Sequence, residues 1–388
     1  AEIPSDRSRT GSFDKIDENL EKQLMKDFSE FAKASKELPE VKNFDKAVEL
    51  YKIANNFEKR NADGAKPIQL DLKLLEGLRD LNDFNLKAAD LTKAAFTLPF
   101  NFSVQTDMKN TKVNALHFSG PGLFLPDTTV YKTDSAKQLL DVFAKQSVNL
   151  LHMAGIDETV AKKYVQDAIS YDARLAEVVK STEEWADYPA MYNPTDISDF
   201  EAKFSSFKID QYLNELFPEK PNRIIVAEPR YLDNVEKLIN NNLFDEIKGW
   251  LIVEFINDVA CYLSQDFREA AFPFSQALSG QPELAAGEKQ AYRIASGAFS
   301  EVVGVYYGQT YFGSEAKADV LDMIHNMIDV YEKRIAENEW LSQATKEKAI
   351  TKLRALILKV GYPSKIKEYY NRLQIMTEKT GGTLYSNM

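Results

Sequence analysis

Apolar residues at spacings of three and four recur over most of this 388-residue chain, and that period commits it to helices. In FDKIDENLEKQLMKDFSEF, Ile16, Leu20, Leu24, Phe28 and Phe31 make one stripe on an otherwise charged helix. Helices are expected over roughly 134 to 179, with a break where Gly155 ends one and Asp157 caps the next. Another runs from about 314 to 340, with Val320, Ile324, Met327, Ile328, Tyr331 and Ile335 on its inner side. In ATKEKAITKLRALILKVGYPSK, residues 344 to 365, Thr345 is the expected N-cap and Glu347 suits the first turn. Ala349, Ile350, Leu353, Leu356, Ile357 and Val360 form its core stripe, Gly361 its cap and Pro363 its stop.

Extended segments are few. NFSVQTDMKNTKVNALHFSGPG, residues 101 to 122, alternates on both sides of a polar DMKNT turn and predicts a hairpin. Its exit, SGPGLFLPD, is loop, and RIIVAEP (223 to 229) reads as a short buried strand or an extended connector. No βαβ alternation and no solenoid-length repeat recurs. The expected fold is mainly α, a large helical domain with a small β-hairpin element.

A hydrophobic content of 44%, with 23 Phe and 18 Tyr, suffices for two average domains or one large helical one. A net charge of -11 without a compensating basic run argues against nucleic acid as the main partner. The single cysteine, Cys261, excludes an intrachain disulfide and reads as a core residue rather than a nucleophile. No transmembrane segment is expected, because GWLIVEFINDVACYL is interrupted by Glu254, Asn257 and Asp258. The first residues show neither an initiator Met nor a signal-peptide core, so the chain reads as trimmed at its front. Localisation is left unknown, a cytoplasmic site being favoured over a secreted or surface one.

The chemistry-bearing residues do not assemble into a motif. His117, His152 and His325 are the only histidines, none at ligand spacing, and no His-Glu-x-x-His occurs. The glycines of SGPGLFLPD lack the Lys-Ser/Thr of a phosphate loop. Glu183-Glu184 and Glu337 with Glu339 read as solvated helix faces. The residues alone therefore describe a helical scaffold with no catalytic and no metal site in this chain.

Several segments in order nevertheless carry a resemblance. Trp340, Thr345, Ala349, Lys352, Tyr362 and Pro363 follow a W-x4-T-x3-A-x2-K pattern that ends in Tyr-Pro. With FSGPGLFLPDTTVY (118 to 131) and the DMKN before it, this resembles the neprilysin-like zinc endopeptidases, the M13 peptidases, in particular their bacterial oligopeptidase O branch. MYNPTDISDF (191 to 200), IIVAEPRYLDNV (224 to 235), VYYGQTYFGSEAKADV (305 to 320) and EIPSDRSRTGSFDKI (2 to 16) resemble further segments of the same family, collinear over essentially the whole chain.

The resemblance implies that zinc is bound through His-Glu-x-x-His and Glu-x-x-x-Asp, and the substrate backbone through Asn-Ala-Phe-Tyr. In the family all three lie C-terminal to the Gly-Tyr-Pro helix, and none occurs here; the upstream Asn-Gly-x-Trp is also missing. Residues 1–388 are thus expected to be the N-terminal helical region, a lid over a chamber that admits short peptides, with a possible crossing segment near 188–200. The expected partners are oligopeptide substrates and the C-terminal catalytic half, with zinc in the full-length enzyme and none bound by this chain. The resemblance also places Arg9 and Asp14 in the substrate subsite, while the position of the family's second Arg is Asp17, a charge reversal that counts against strong selection of a free substrate carboxylate. The alternative is a stand-alone, non-enzymatic binding domain for peptides or proteins. TEKTGGTLYSNM, with no helix cap or closing element, favours the longer polypeptide.

Overall fold

The structure is a computed structural model that describes residues 3–388, so Glu2 of the segment 2 to 16 lies outside the described residues. Helices dominate, with one small sheet. The chain divides into two compact units, one built from the segment up to Arg9 with Glu58–Leu284, the other from Thr10–Phe57 with Ala285–Met388.

The first unit holds the sheet. β1 (Asn101–Asp107) and β2 (Asn110–Ser119) form the expected hairpin. The buried Asp107 carboxylate closes the turn by accepting the N–H of Lys109 at 2.8 Å and of Asn110 at 3.2 Å. β3 (Asn193–Asp196) and β4 (Arg223–Val226) complete the order β1-β2-β4-β3, with β4 parallel to β2 and antiparallel to β3. RIIVAEP therefore supplies a strand, and Ile224, Ile225 and Val226 are buried. Between β2 and β4 the chain makes helices Ser135–Met153 and Glu158–Ala176. Asp157 caps the second as expected, its carboxylate accepting the N–H of Thr159 at 2.9 Å and of Val160 at 3.3 Å.

Alternation along the hairpin separates its faces. Phe102 and Phe118 are paired across the strands, ring centroids 5.1 Å apart, and Phe118 packs on Phe200 (4.9 Å) and Tyr231 (5.9 Å). Phe118, Phe200 and Tyr231 are fully buried, and burying a ring such as Phe118 contributes about 2–3 kcal/mol against its exposed state. The opposite face carries Asn101, Ser103 and Gln105 of β1 with His117 and Ser119 of β2, and it is polar. Beyond the sheet, helix Phe244–Val259 packs on Glu158–Ala176, burying Ile247, Trp250, Ile252 and Ile256. Among the described residues no helix is long and apolar enough to cross a membrane.

The second unit is helical. Helices Ser12–Ala32, Phe44–Asn55, Gly287–Ala298 and Ser300–Tyr307 meet in an aromatic core. Phe28 lies 5.5 Å from Phe44 and 5.4 Å from Tyr292, and Phe44 lies 4.8 Å from Tyr306. Arg293 forks onto Glu21 at 2.5 and 3.0 Å. Leu24, Phe28 and Phe31 of the first predicted stripe are buried, but Ile16 is 64% exposed.

The last two long helices depart from the sequence reading. Helix Gly313–Glu337 has no buried residue; Met327 and Tyr331, expected inward, are more than half exposed. The next helix is Gln343–Arg354, and its N-cap is Ser342, whose hydroxyl accepts the Thr345 N–H at 3.2 Å, rather than Thr345. It stops six residues before Val360, so Leu356 and Ile357 lie past its end, 53% and 85% exposed, and Gly361 caps nothing. An amphipathic stripe holds a helix chiefly through what it packs against. Here the chain instead leaves the helical axis to seat Tyr362 against Gly308, and Lys317 Nζ donates to the Tyr362 carbonyl at 2.9 Å.

Candidate functional site

Arg9 and Asp14 fall in different units. Arg9 is exposed at the end of a segment held within the first unit, where the Ser5 hydroxyl donates to the Glu283 carboxylate at 2.6 Å and the Glu283 N–H to the Ser5 carbonyl at 2.9 Å. Asp14 sits half-buried in the first turn of Ser12–Ala32, with Asp17 exposed on the same helix. The histidines are scattered: His117 is buried in β2, His152 lies at the end of Ser135–Met153, and His325 is exposed on Gly313–Glu337. Among the described residues no three His, Cys, Asp or Glu side chains are grouped to hold a metal ion.

A cavity of about 740 Å³ lies over the polar face of the hairpin. Asn101, Ser103, Gln105 and His117 form its floor. The loop after β2 makes one wall; Val179, Lys180 and Trp185 make another, with Tyr188 and Met191 beyond. Glu228, 2% exposed, ties the walls together, accepting the Gly120 N–H at 2.7 Å and the Lys180 N–H at 2.5 Å. That approach requires glycine at 120, because a Cβ there would stand 2.7 Å from Val179 Cγ1 and 3.0 Å from the Tyr231 ring. Burial pushes the Glu228 carboxyl above the ordinary carboxylate range, against the pull of those two N–H groups.

Trp185 is positioned by a short capped helix, Thr182–Trp185. The Ser181 hydroxyl accepts the Glu184 N–H at 3.2 Å, and the Glu184 carboxylate accepts the Ser181 N–H at 2.8 Å. Glu184 also takes both arms of Arg230, at 2.8 and 2.9 Å, and the Arg230 fork with the Ser181 N–H pulls it down to about 2. Asp127, on the rim, accepts from Thr129 and from the Thr182 N–H, which hold it well below the usual carboxylate range. Two groups in the cavity lack a hydrogen-bond partner, although the charge of Lys180 also acts on Glu228. Lys180 Nζ is shielded from solvent with no hydrogen-bond partner, 5.3 Å from the Trp185 ring centroid, and His117 Nε2 is equally shielded and unpaired. Burial holds the His117 imidazole below its ordinary value, with Asp107 opposing.

A second cluster lies among the helices of the same unit. Asp172 accepts the Tyr131 hydroxyl and the Phe124 N–H, the latter at 3.1 Å, and burial pushes it up to about 7. Glu254 is pushed up to about 8 by burial and by the charges of Asp258 and Asp172. Glu254 was visible as the acid interrupting an apolar run. Nothing in the local sequence singled out Lys180, Trp185 or Glu228, and His117 read as structural.

The model of peptidase family M13 matches residues 1–363. The chain belongs to that family. Among M13 relatives, it is 55% identical over 387 residues to a neutral endopeptidase of Lactobacillus helveticus, covering 100% of this chain and 59% of the relative. It is 34% identical to a neutral endopeptidase of Lactococcus lactis subsp. lactis, covering 100% of this chain and 61% of the relative. Of solved M13 structures, PepO from Lactobacillus rhamnosis matches with a TM-score of 0.91 at 29% identity, over 100% of this chain and 62% of that one. The fold is also that of a Mycobacterium tuberculosis zinc metalloprotease solved with an inhibitor, with a TM-score of 0.87 at 22% identity, over 100% of this chain and 59% of that one. The chain spans about three-fifths of the length of these relatives. The resemblance read from the ordered segments thus holds over the full length, and so does the mainly helical fold.

Proposed function

We propose that this chain is the substrate-enclosing, non-catalytic region of a zinc endopeptidase that hydrolyses oligopeptides. The observation that carries this is a collinear M13 match over residues 1–363 in a sequence without His-Glu-x-x-His. In this reading the zinc, its activated water and the grip on the substrate backbone belong to a catalytic region on the same polypeptide. This chain contributes size selection, exclusion of bulk water and part of the substrate cleft. The apolar side chains exposed on Gly313–Glu337 and beyond Arg354 support it, since a partner surface of that kind is what a second region covers. Arg9 and Asp14 are assigned to the substrate subsite, Arg9 pairing with a carboxylate or peptide carbonyl.

The test compares the 388-residue chain with a polypeptide extended to the length of its relatives. Alone, the chain is expected to retain no stoichiometric zinc after dialysis and to leave a quenched fluorescent oligopeptide uncut; hydrolysis by the chain alone overturns the reading. In the extended polypeptide, Arg9→Ala is expected to raise KM about ten-fold with kcat little changed, the mark of lost ground-state binding. An unchanged KM removes Arg9 from the subsite.

A further inference from the structure

We propose that the cavity on the polar face of the hairpin binds an organic carboxylate, held between the Lys180 ammonium and His117 Nε2. A shielded ammonium without an acceptor is costly, because its lost hydration is not replaced. Lys180 Nζ is in that position: the Trp185 ring 5.3 Å away accepts no conventional hydrogen bond, and the Glu228 carboxyl, which feels its charge, is hydrogen-bonded to two backbone N–H groups instead. His117 Nε2 lies in the same cavity with the same deficit. With its proton on Nε2 the imidazole donates one hydrogen bond, and the ammonium supplies up to three. A carboxylate offers two oxygens with about four acceptor sites between them, which matches two donors of this kind. At about 740 Å³ the cavity is of the size small-molecule sites have.

Local charge chooses the carboxylate over a phosphate. One lysine lines the cavity, burial disfavours the charged form of His117, and the carboxyl groups of Glu228 and Asp127 also line it. A dianion would meet these carboxyls with too little positive charge to offset them. Leu125, Met191 and Trp185 give the remainder of the ligand an apolar surface. The same chemistry is presented by a free N-acylated amino acid and by the C-terminus of a short peptide. The assignment stands apart from the enclosing role proposed above, since it invokes neither zinc nor a catalytic region.

Calorimetric titration of the purified protein at neutral pH tests it with two matched pairs: N-acetyl-phenylalanine against its amide, and Ala-Ala-Phe against its C-terminal amide. Each acid is expected to bind at least about ten-fold more tightly than its amide, the scale of a hydrogen bond to a charged group. Lys180→Met is expected to lose about as much on the acids with an unfolding midpoint no lower than the parent's. In a Trp340→Phe background, which leaves Trp185 and the fully buried Trp250, the acids are expected to shift the emission, and Trp185→Phe in that background is expected to abolish the shift. Tighter binding of the tripeptide assigns the site to peptide C-termini, and tighter binding of N-acetyl-phenylalanine to free small acids. Acids and amides that titrate alike, no heat from either acid, or a Lys180→Met protein that binds as well as the parent overturns the proposal. Should Lys180→Met fail to fold, the acid–amide comparison and the Trp185 signal decide on the unaltered lysine.

Discussion

The ring of Tyr362 lies so close on Gly308 that a Cβ at 308 would overlap the tyrosine Cδ1, Cγ and Cβ. A reciprocal contact sits beside it: Gly361, at φ +68°, leaves room for Phe312, whose Cε1 would stand 2.7 Å from a Cβ at 361. Gly308 opens and Phe312 closes a single π-helical turn between Ser300–Tyr307 and Gly313–Glu337. Lys317 Nζ lies 4.2 Å from the Tyr362 ring centroid. Two segments recognisable in the sequence, YYGQTYFG and GYP, are therefore the two sides of one ring-on-glycine lock.

Gly308→Ala is expected to destabilise the second unit by about 1–3 kcal/mol, the usual cost of overpacking. The measurement is a urea unfolding curve. Gly297→Ala in the same unit, where nothing lies within 4 Å of the added Cβ, is the control and is expected to be neutral or mildly stabilising. Equal effects at both positions would remove the lock.

Stability of the first unit is expected to fall as pH rises from mildly acid to mildly alkaline. Asp172 at about 7 and Glu254 at about 8 bind protons more tightly folded than an unfolded carboxylate does at about 4. Their stabilising contribution is full below the unfolded value and is lost as pH climbs through the folded ones, because only the unfolded state ionises freely in that window. Urea midpoints measured at intervals across it should decline, and Glu254→Gln should flatten the decline. A profile unchanged by that substitution would mean Glu254 is ionised in the folded protein.

Glu228→Ala is expected to cost about 2–4 kcal/mol, because it leaves the N–H groups of Gly120 and Lys180 without their acceptor. Glu228→Gln keeps one acceptor oxygen and should cost less. Thermal unfolding of the two variants provides the comparison, and equal losses would show that charge rather than acceptor geometry matters.

The exposed apolar surface of the second unit should be measurable directly. Trp340 is 82% and Ile357 85% exposed. The double variant Trp340→Ser, Ile357→Ser is expected to bind less of a hydrophobic dye with stability altered by no more than about 0.5 kcal/mol per site. A large loss of stability would mean that these side chains are packed.

Elements with a strong local signal were legible. The break at Gly155 and the Asp157 cap lie within a few residues of the groups they satisfy, and the hairpin turn is closed by Asp107 bonding to its own neighbours at Lys109 and Asn110. The sheet order was not legible, because β3 is a four-residue strand containing a proline and its partner β4 lies beyond two intervening helices. The end of the last helix was misread because Leu356 and Ile357 have the right spacing but no surface to pack on. The cavity was invisible because Lys180, His117 and Glu228 are chemically ordinary until burial strips them of water.

By itself, the sequence determined the helical class, the hairpin and the M13 family, since periodicity, turn chemistry and ordered segments are properties of neighbouring residues. Only the tertiary structure decided that Glu228 ties β2 to the Glu158–Ala176 helix exit, that Tyr362 needs a bare Gly308, and that an ammonium and an imidazole nitrogen, neither with a hydrogen-bond partner, share a cavity. The physical reason is common to all three. Desolvation and close approach depend on which distant segments the fold brings together, and no local spacing records that.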